Sequence, residues 1–364
     1  MSHKKALLLF LSSLLITQIT SIQSDLSLKG TFEGEYVTLS PDTKVKIINT
    51  ESVEKPFYLF INGKQEQLSD DGSFLFPNPG QYKITMQFYH DPDFHGLFAD
   101  CQNLLQVTVL DIKSKTSDAS DMFRNCRKLI SANLELLDTS NIVNMKHMFA
   151  GCHELLVVDL SKINTGNLEK MDGMFSNCIR LRIIEFGNFN TAKVTSMENL
   201  FSGCENIETV NISKFKTNRV TSIMGMFSNC KKLEFVDFSN FNTDKLTDTA
   251  VLFSGCENLR RVDFKGFEGK NVFMMNYMFK DCKNLEELNL GDLHSTRGMK
   301  MDHMFEGCSS LRKLNLRNLV VYEEPLDMFK GAKADMEICI NRYEAQPLVG
   351  KLSPQAFVNC RNFY

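Results

Sequence analysis

Cysteines recur at positions 101, 126, 152, 178, 204, 230, 256, 282 and 308, one step of 25 residues followed by seven of 26. A phenylalanine stands three positions before each, from Phe98 to Phe305, so the string FxxC occurs nine times. A tenth copy, Phe329 to Ala332, has lost its cysteine. A constant period of this length constrains the chain to an array of one stackable unit, because a short repeated segment cannot enclose a core of its own. The composition carries the same bias, with 29 Phe, 18 Met and 11 Cys but no Trp in 364 residues.

Within each unit a Leu or Ile follows the cysteine by three positions, an apolar residue comes three further on, and another two beyond that. Leu233, Val236 and Phe238 form one such set, and Leu285, Leu288 and Leu290 another. The final alternation is that of a short strand, and a strand recurring once per unit must return through a crossover to pair in parallel with its predecessor. After the strand come an apolar residue (Phe189, Phe215, Phe241), a Thr two later (Thr191, Thr217, Thr243) and then Val or Leu (Val194, Val220, Leu246). Spacings of three and four in this part predict a short helical or 3₁₀ segment, with Thr195 and Glu198 as a capping box. Roughly nine inward apolar side chains per coil leave each coil dependent on its neighbours, so stability is expected to come from stacking.

The units, for example VTSIMGMFSNCKKLEFVDFSNFNT from Val220 to Thr243, resemble the BspA-like class of leucine-rich repeats, whose units read VTxMxxMFxxCxxLxxLDLSxFxT. The match runs from about Phe98 to Phe329, with eight or more columns recurring in phase through nine copies. The resemblance implies an α/β repeat solenoid, a leucine-rich-repeat-like horseshoe with a parallel concave sheet and short helical or 3₁₀ convex segments. Nine to ten such repeats would occupy residues 96–332. It also implies a surface or secreted protein of a class linked to adhesion and protein binding and typically not enzymatic. Two departures stand out: the lipid, wall-sorting or transmembrane anchors that members often carry are not seen, and many Leu columns hold Phe, Val or Ile.

His3, Lys4 and Lys5 precede an apolar stretch from Ala6 to Ile19 and small polar residues up to Ser24. That order is the one of a secretory signal peptide covering 1–24, cleaved after Ser24 or Ser21, and the apolar run is shorter than the roughly 20 residues of a bilayer-spanning anchor. The mature chain is therefore expected to lack a transmembrane segment and to be secreted, extracellular or held at a cell surface by non-covalent contacts. Residues 25–95 lie outside the repeat and show alternating apolar residues, with Asn62-Gly63 as a hairpin-turn signal. They are expected to form a β-rich N-terminal cap or a small β-sandwich-like module, the stretch from Pro79 to Thr85 resembling a strand of such modules. Residues 333–364 are expected to form a C-terminal cap.

The 41 basic and 44 acidic side chains leave a formal net charge of −3, which disfavours nucleic acid as a partner. The seven histidines show no HxxxH or HxH spacing, and the chain contains no glycine-rich phosphate loop, nucleophile elbow or zinc-protease helix. No catalytic residue, metal site or cofactor is expected. His147 and His303 share a repeat column with Gly173, Asn199 and Gly225, which reads as a tolerant surface column. In-register residues of neighbouring coils lie about 4.8 Å apart with parallel Cα–Cβ bonds, leaving Cβ atoms farther apart than a disulfide needs. The nine ladder cysteines are thus expected to be buried free thiols. Cys339 and Cys360 fall off the period and are candidates to pair, stapling the C-terminal cap.

Residues that alternate with the inward leucines are expected on the concave face. One column reads Val157, Ile183, Thr209, Phe235, Arg261, Glu287 and Lys313, and the next reads Asp159, Glu185, Asn211, Asp237, Asp263, Asn289 and Asn315. Exposed Val, Ile and Phe rimmed by carboxylates fit a protein-binding patch, although such residues also favour strands for their own sake. Val157, Asp159, Ile183, Glu185, Thr209, Phe235, Asp237, Arg261 and Asp263 are the candidate binding residues. Calcium on Asp159, Glu185, Asp237 and Asp263 is conceivable, but solvated acids fit better. Asn211-Ile212-Ser213 is a possible glycosylation site within the same face. The function expected is that of a monomeric, non-enzymatic recognition or adhesion protein with a protein ligand. The alternative is a self-assembling surface-coat or matrix protein.

Overall fold

Phe32, Gly34 and Tyr36 alternate with polar residues in one early segment and Ile84, Met86 and Phe88 in another, so each forms a strand with one face to bury. The computed structural model describes residues 28–53, 57–294, 298–341, 343, 345–349 and 360. The expected signal peptide, 1–24, lies outside them. The first strands are β1 (Gly30–Thr38), β2 (Thr43–Lys46), β3 (Phe57–Ile61), β4 (Lys64–Glu66), β5 (Ser73–Phe76) and β6 (Gly80–Phe88). β3 and β4 are joined by Asn62 and Gly63 at φ 50° and 81°, the left-handed pair that a two-residue hairpin turn requires.

These strands do not stand apart from the repeats. β7 (Leu104–Ile112), the strand of the first coil, pairs antiparallel with β1 on one side and parallel with β8 (Ser131–Asn133) on the other. A single sheet, in the order β4-β3-β6-β1-β7-β8, therefore changes from antiparallel to parallel at the first coil. The edge that coil would otherwise present to water is covered by continued hydrogen bonding. The cores join as well, the Phe32 ring meeting Phe98 edge-on at 5.2 Å between centroids. Residues 30–88 thus cap the solenoid by sharing both its sheet and its core.

The later coils carry three- or four-residue strands: β9 (Val157–Asp159), β10 (Ile183–Glu185), β11 (Phe235–Asp237), β12 (Arg261–Asp263), β13 (Glu287–Asn289), β14 (Lys313–Leu316) and β15 (Glu337–Ile340). Where they pair they do so in parallel, with each residue opposite its counterpart one unit on. A second ladder, of isolated parallel bridges, climbs through Asp118, Asn144, Lys170, Ser196, Ser222, Asp248, Met274 and Lys300.

The FxxC arc forms a third ladder, and here the helical expectation is corrected. Among the described residues, coils in 96–332 contain no helix, so the α/β layering does not form and the architecture is a β-solenoid. The cause is two left-handed residues per coil. One column, from Gly96 through Asp121, His147, Gly173 and onward to Asp327, takes φ between 49° and 62°. The other, four residues later, from Asp100 to Gly331, takes φ between 58° and 76°. A left-handed residue every few positions stops a right-handed helix from propagating. Alternate N–H groups turn to the next coil instead: those of Met145, His147, Phe149 and Gly151 donate to the carbonyls of Lys170, Asp172, Met174 and Ser176 at 2.7–3.0 Å. Those of Ala150 and Cys152 fold back to His147 and Phe149. Thr195 and Glu198 form no capping box; the Glu198 N–H donates to Asp172 of the preceding coil. The column of His147 and His303 is not merely tolerant, since every member holds a positive φ and Gly173 and Gly225 are buried.

Side chains lock the same arc. Ten phenylalanine rings, from Phe98 to Phe329, stack face to face with centroids 5.3–5.9 Å apart. Eight cysteine thiols, from Cys126 to Cys308, donate to the carbonyl of the FxxC phenylalanine one coil back at 3.0–3.2 Å. On another wall the Thr hydroxyls bridge coils: Thr217 Oγ1 donates to the Asn242 carbonyl at 3.0 Å and accepts from the Asn242 N–H at 2.8 Å. At the far end β15 closes the last sheet, and Cys339 within it is disulfide-bonded to Cys360.

Candidate binding face

The strand face is where the coils spend residues that the stack does not need. Val157, Ile183 and Phe235 are 43%, 49% and 37% exposed, although Val158 and Val236, which directly follow two of them, are buried. Thr209 and Arg261 are exposed too. Val157 lies opposite Ile183, Thr209 bridges to Phe235, and Phe235 lies opposite Arg261, whose guanidinium sits over the Phe235 ring at 5.7 Å. The first candidate column is thus brought onto one face in the expected order.

It is not one continuous ladder. Among the described residues, no strand pairing joins β8 to β9, β10 to Thr209 or β12 to β13. A depression opens at each of the last two. The first, of about 170 Å³, reaches Ile184, Phe186, Phe189 and Phe215, with Glu185, Asn211 and Lys214 at its rim. Ile184 and Val210, inward-facing residues on either side of that lapse, are only partly buried. The second is a wider groove of about 730 Å³ between β12 and β13, lined by Arg260, Arg261, Lys265, Glu286, Glu287 and Lys313 among others.

The second candidate column has a structural job that alternation did not foretell. Asp159, Asp237 and Asp263 each accept, through Oδ1, the backbone N–H two residues on, from Ser161, Ser239 and Lys265 at 2.8–3.0 Å. Asn211, Asn289 and Asn315 do the same with Ser213, Gly291 and Arg317. These are Asx turns that end the strand, and they explain why the column is restricted to Asp and Asn apart from Glu185. Hydrogen bonds from Ser161 and Ser239 hold the Asp159 and Asp237 carboxyls below the usual range. The carboxylates are turned to their own backbone, and no group of three His, Cys, Asp or Glu among the described residues is placed to hold a metal. Asn211, exposed at the possible glycosylation site, also accepts from the Ser213 hydroxyl at 2.7 Å.

One set of residues on this face escapes a reading based on alternation. Positions 182, 208, 234, 260, 286 and 312 directly precede the outward column and would be assigned inward, yet Arg182, Glu208, Glu234, Arg260, Glu286 and Arg312 are all exposed. They sit where the chain leaves the turn, before strand geometry begins, and their charge is the signal that marks them. Arg312 pairs with both Glu286 and Glu287, at 3.1 and 2.9 Å.

The ladder cysteines are buried and unpaired. Burial pushes the Cys101, Cys204 and Cys308 thiols up to about 12, so they are neither nucleophiles nor ligands in the stack. His303 is also absorbed into packing, stacked on Tyr277 at 4.7 Å with Nδ1 2.8 Å from Glu306. No helix among the described residues is long and apolar enough to cross a membrane.

A chain of stacked coils, each repeating the one before, with an exposed strand face is a β-solenoid repeat protein. The family model described as "Mycoplasma protein of unknown function, DUF285" matches residues 92–183, 180–264 and 221–341, and the chain belongs to that family. Among solved structures, it is similar to one titled "Crystal structure of TLR13-ssRNA13 complex", at 14% identity and a TM-score of 0.23, over 66% of this chain and 38% of that one. The chain spans well under half of that protein's length, and at this score the likeness carries no argument.

Proposed function

We propose that this chain is an exported, non-enzymatic recognition protein of the BspA-like class, which holds a protein ligand on its strand face. The observation that carries the reading is the exposure of Val157, Ile183 and Phe235 in one column, on coils whose stacking is already provided by the FxxC arc. Large apolar side chains that contribute little to a fold, grouped on one rigid surface, are the usual anchors of protein recognition. The exported setting rests on the signal-like residues 1–24 and a monomeric state on the covered first edge. The test is capture of a ligand from the native medium on the immobilised mature chain, identification, and titration of the purified pair. Phe235→Ala and Ile183→Ala are each expected to weaken that pair by about tenfold or more while the melting curve stays in place. Unchanged affinity in both variants would move the site elsewhere, and concentration-dependent polymers of the chain alone would favour the coat-protein alternative.

A further inference from the structure

The groove between β12 and β13 contains more charge than its ion pairs consume. Asp263 is engaged by Arg261 at 3.5 Å, and Glu286 and Glu287 are both engaged by Arg312. Among the described residues, Arg260, Lys265 and Lys313 have no carboxylate within ion-pair distance, and the one remaining acid of the lining is Asp292. Arg312 balances only one of its two glutamates, so the five cations of the lining, Arg260, Arg261, Lys265, Arg312 and Lys313, exceed its four acids, Asp263, Glu286, Glu287 and Asp292, by one positive charge, against a chain whose overall charge is −3. The depression beside β10 is the opposite in character. Its floor is Ile184, Phe186, Phe189 and Phe215, and the ammonium of its one lysine, Lys214, is turned to the Gly187 carbonyl at 3.3 Å.

The two depressions are three coils apart, about 14 Å at ordinary strand spacing. Phe235 lies between them, with Arg261 folded over its ring. An extended chain advances about 3.3 Å per residue, so four to five residues span that distance.

We propose, building on the strand-face reading, that the ligand is presented as an extended acidic peptide segment lying along the solenoid axis, across the coils. One apolar side chain enters the slot floored by Phe186 and Phe215, the next outward side chains cross Phe235, and carboxylates four to five residues on meet Arg260, Lys265 and Lys313. A polyanion such as a nucleic acid or a sulfated glycan satisfies the cations but has no aliphatic side chain for the slot. A purely apolar surface leaves the cations without partners.

The experiment uses the full mature chain and fluorescein-labelled decapeptides. One set carries Leu or Phe followed four or five residues later by two Glu, a second set has Lys in place of each Glu, and a third has Ser in place of the apolar residue. Heparin is the glycan control. The first set is expected to bind at least tenfold tighter than either other set, with affinity falling as salt is raised. The double charge reversal Lys265→Glu, Lys313→Glu, made on two exposed or half-exposed side chains, is expected to lower that affinity at least tenfold and to restore binding of the Lys set. Equal binding of the Glu and Lys sets, or heparin binding that the Glu peptides do not displace, overturns the acidic-peptide inference. If the Glu set fails while the captured ligand still depends on Phe235, this inference falls and the strand-face reading stands. If Phe235→Ala and the charge reversal are both without effect on the captured ligand, both fall.

Discussion

The FxxC arc and the strand face belong to the same coils but obey different rules. Along the arc, stacked rings run without interruption from Phe98 to Phe329, and main-chain and thiol hydrogen bonds tie each coil to the next. Along the strand face, pairing lapses between β8 and β9, after β10 and again between β12 and β13. The solenoid is held across those lapses by the FxxC arc, the bridge ladder and the Thr hydroxyls, which continue from coil to coil. The strand face is thereby free to carry Val, Ile, Phe, Arg, Glu or Lys at equivalent positions, and that freedom is what a recognition surface needs.

The largest effect that tests this comparison is alkaline unfolding. The buried thiols are neutral in the stack, whereas an unfolded thiol ionises near pH 8.5. Burial raises Cys101, Cys204 and Cys308 to about 12 and shifts the other six ladder thiols in the same direction. Unfolding above pH 8.5 therefore releases protons, so the stabilisation is complete below that pH and is lost as pH rises toward the folded values. Each thiol contributes up to about 1.4 kcal/mol per pH unit in that window. Cooperative loss of circular dichroism is expected between about pH 9 and 11, and equal stability at pH 7 and 10.5 would put the thiols in contact with water.

Two phenylalanines eight residues apart offer the next contrast. Phe227→Ala removes a ring from the middle of the stack and is expected to cost about 3–5 kcal/mol in denaturant titration. Phe235→Ala is expected to change stability by no more than about 0.5 kcal/mol. Similar losses in the two variants would erase the distinction between the walls. Cys230→Ser tests the thiol contact to the Phe201 carbonyl in the same assay and is expected to cost about 1–3 kcal/mol, because the shorter Cβ–O bond leaves the hydroxyl without that reach in an apolar column.

The left-handed columns supply the smaller effects. In the second of them, Asn177, Gly203, Asn229, Gly255, Asp281 and Gly307 alternate large and small, and a Cβ built on Gly203 would collide with Asn177 Oδ1. Gly203→Ala is expected to lose about 1–2 kcal/mol, at φ +76° and against a neighbouring side chain. Val251 is a β-branched residue at φ 56° in the first column, and Val251→Asn is expected to raise the midpoint by an amount equivalent to about 1 kcal/mol. A fall on Val251→Asn would mean that the half-buried Val side chain outweighs its backbone strain.

Much of the arc is legible in the sequence. Phe227 and Cys230 recur in phase, so they must share an environment with their counterparts, and a shared apolar environment repeated in register can only be an inward stack. The Thr column was visible as well, but not its use, since a hydroxyl that accepts from one coil while donating to it requires the two backbones side by side. The candidate site was half legible: the outward place of Phe235 was visible in the alternation, whereas the Asx turn made by Asp237 was not, because such a turn and a solvent-facing acid look alike in one dimension. Arg260 was missed because alternation fails where the chain has not yet entered the strand.

Periodicity alone determined the stacking, the inward Phe and Cys ladders and the outward column of Val157, Ile183 and Phe235, because translation along the solenoid gives every copy of a column the same neighbours. It could not determine the sign of φ. His147, Asn199, Val251 and Tyr277 have no composition in common, and spacings of three and four fit a helical turn as well as a left-handed corner. Only the approach of the next coil, which draws alternate N–H groups outward, selects the corner. The lapses in strand pairing, and the apolar slot and cationic groove that two of them open, likewise depend on how neighbouring coils separate along the strand face while the Phe stack stays unbroken.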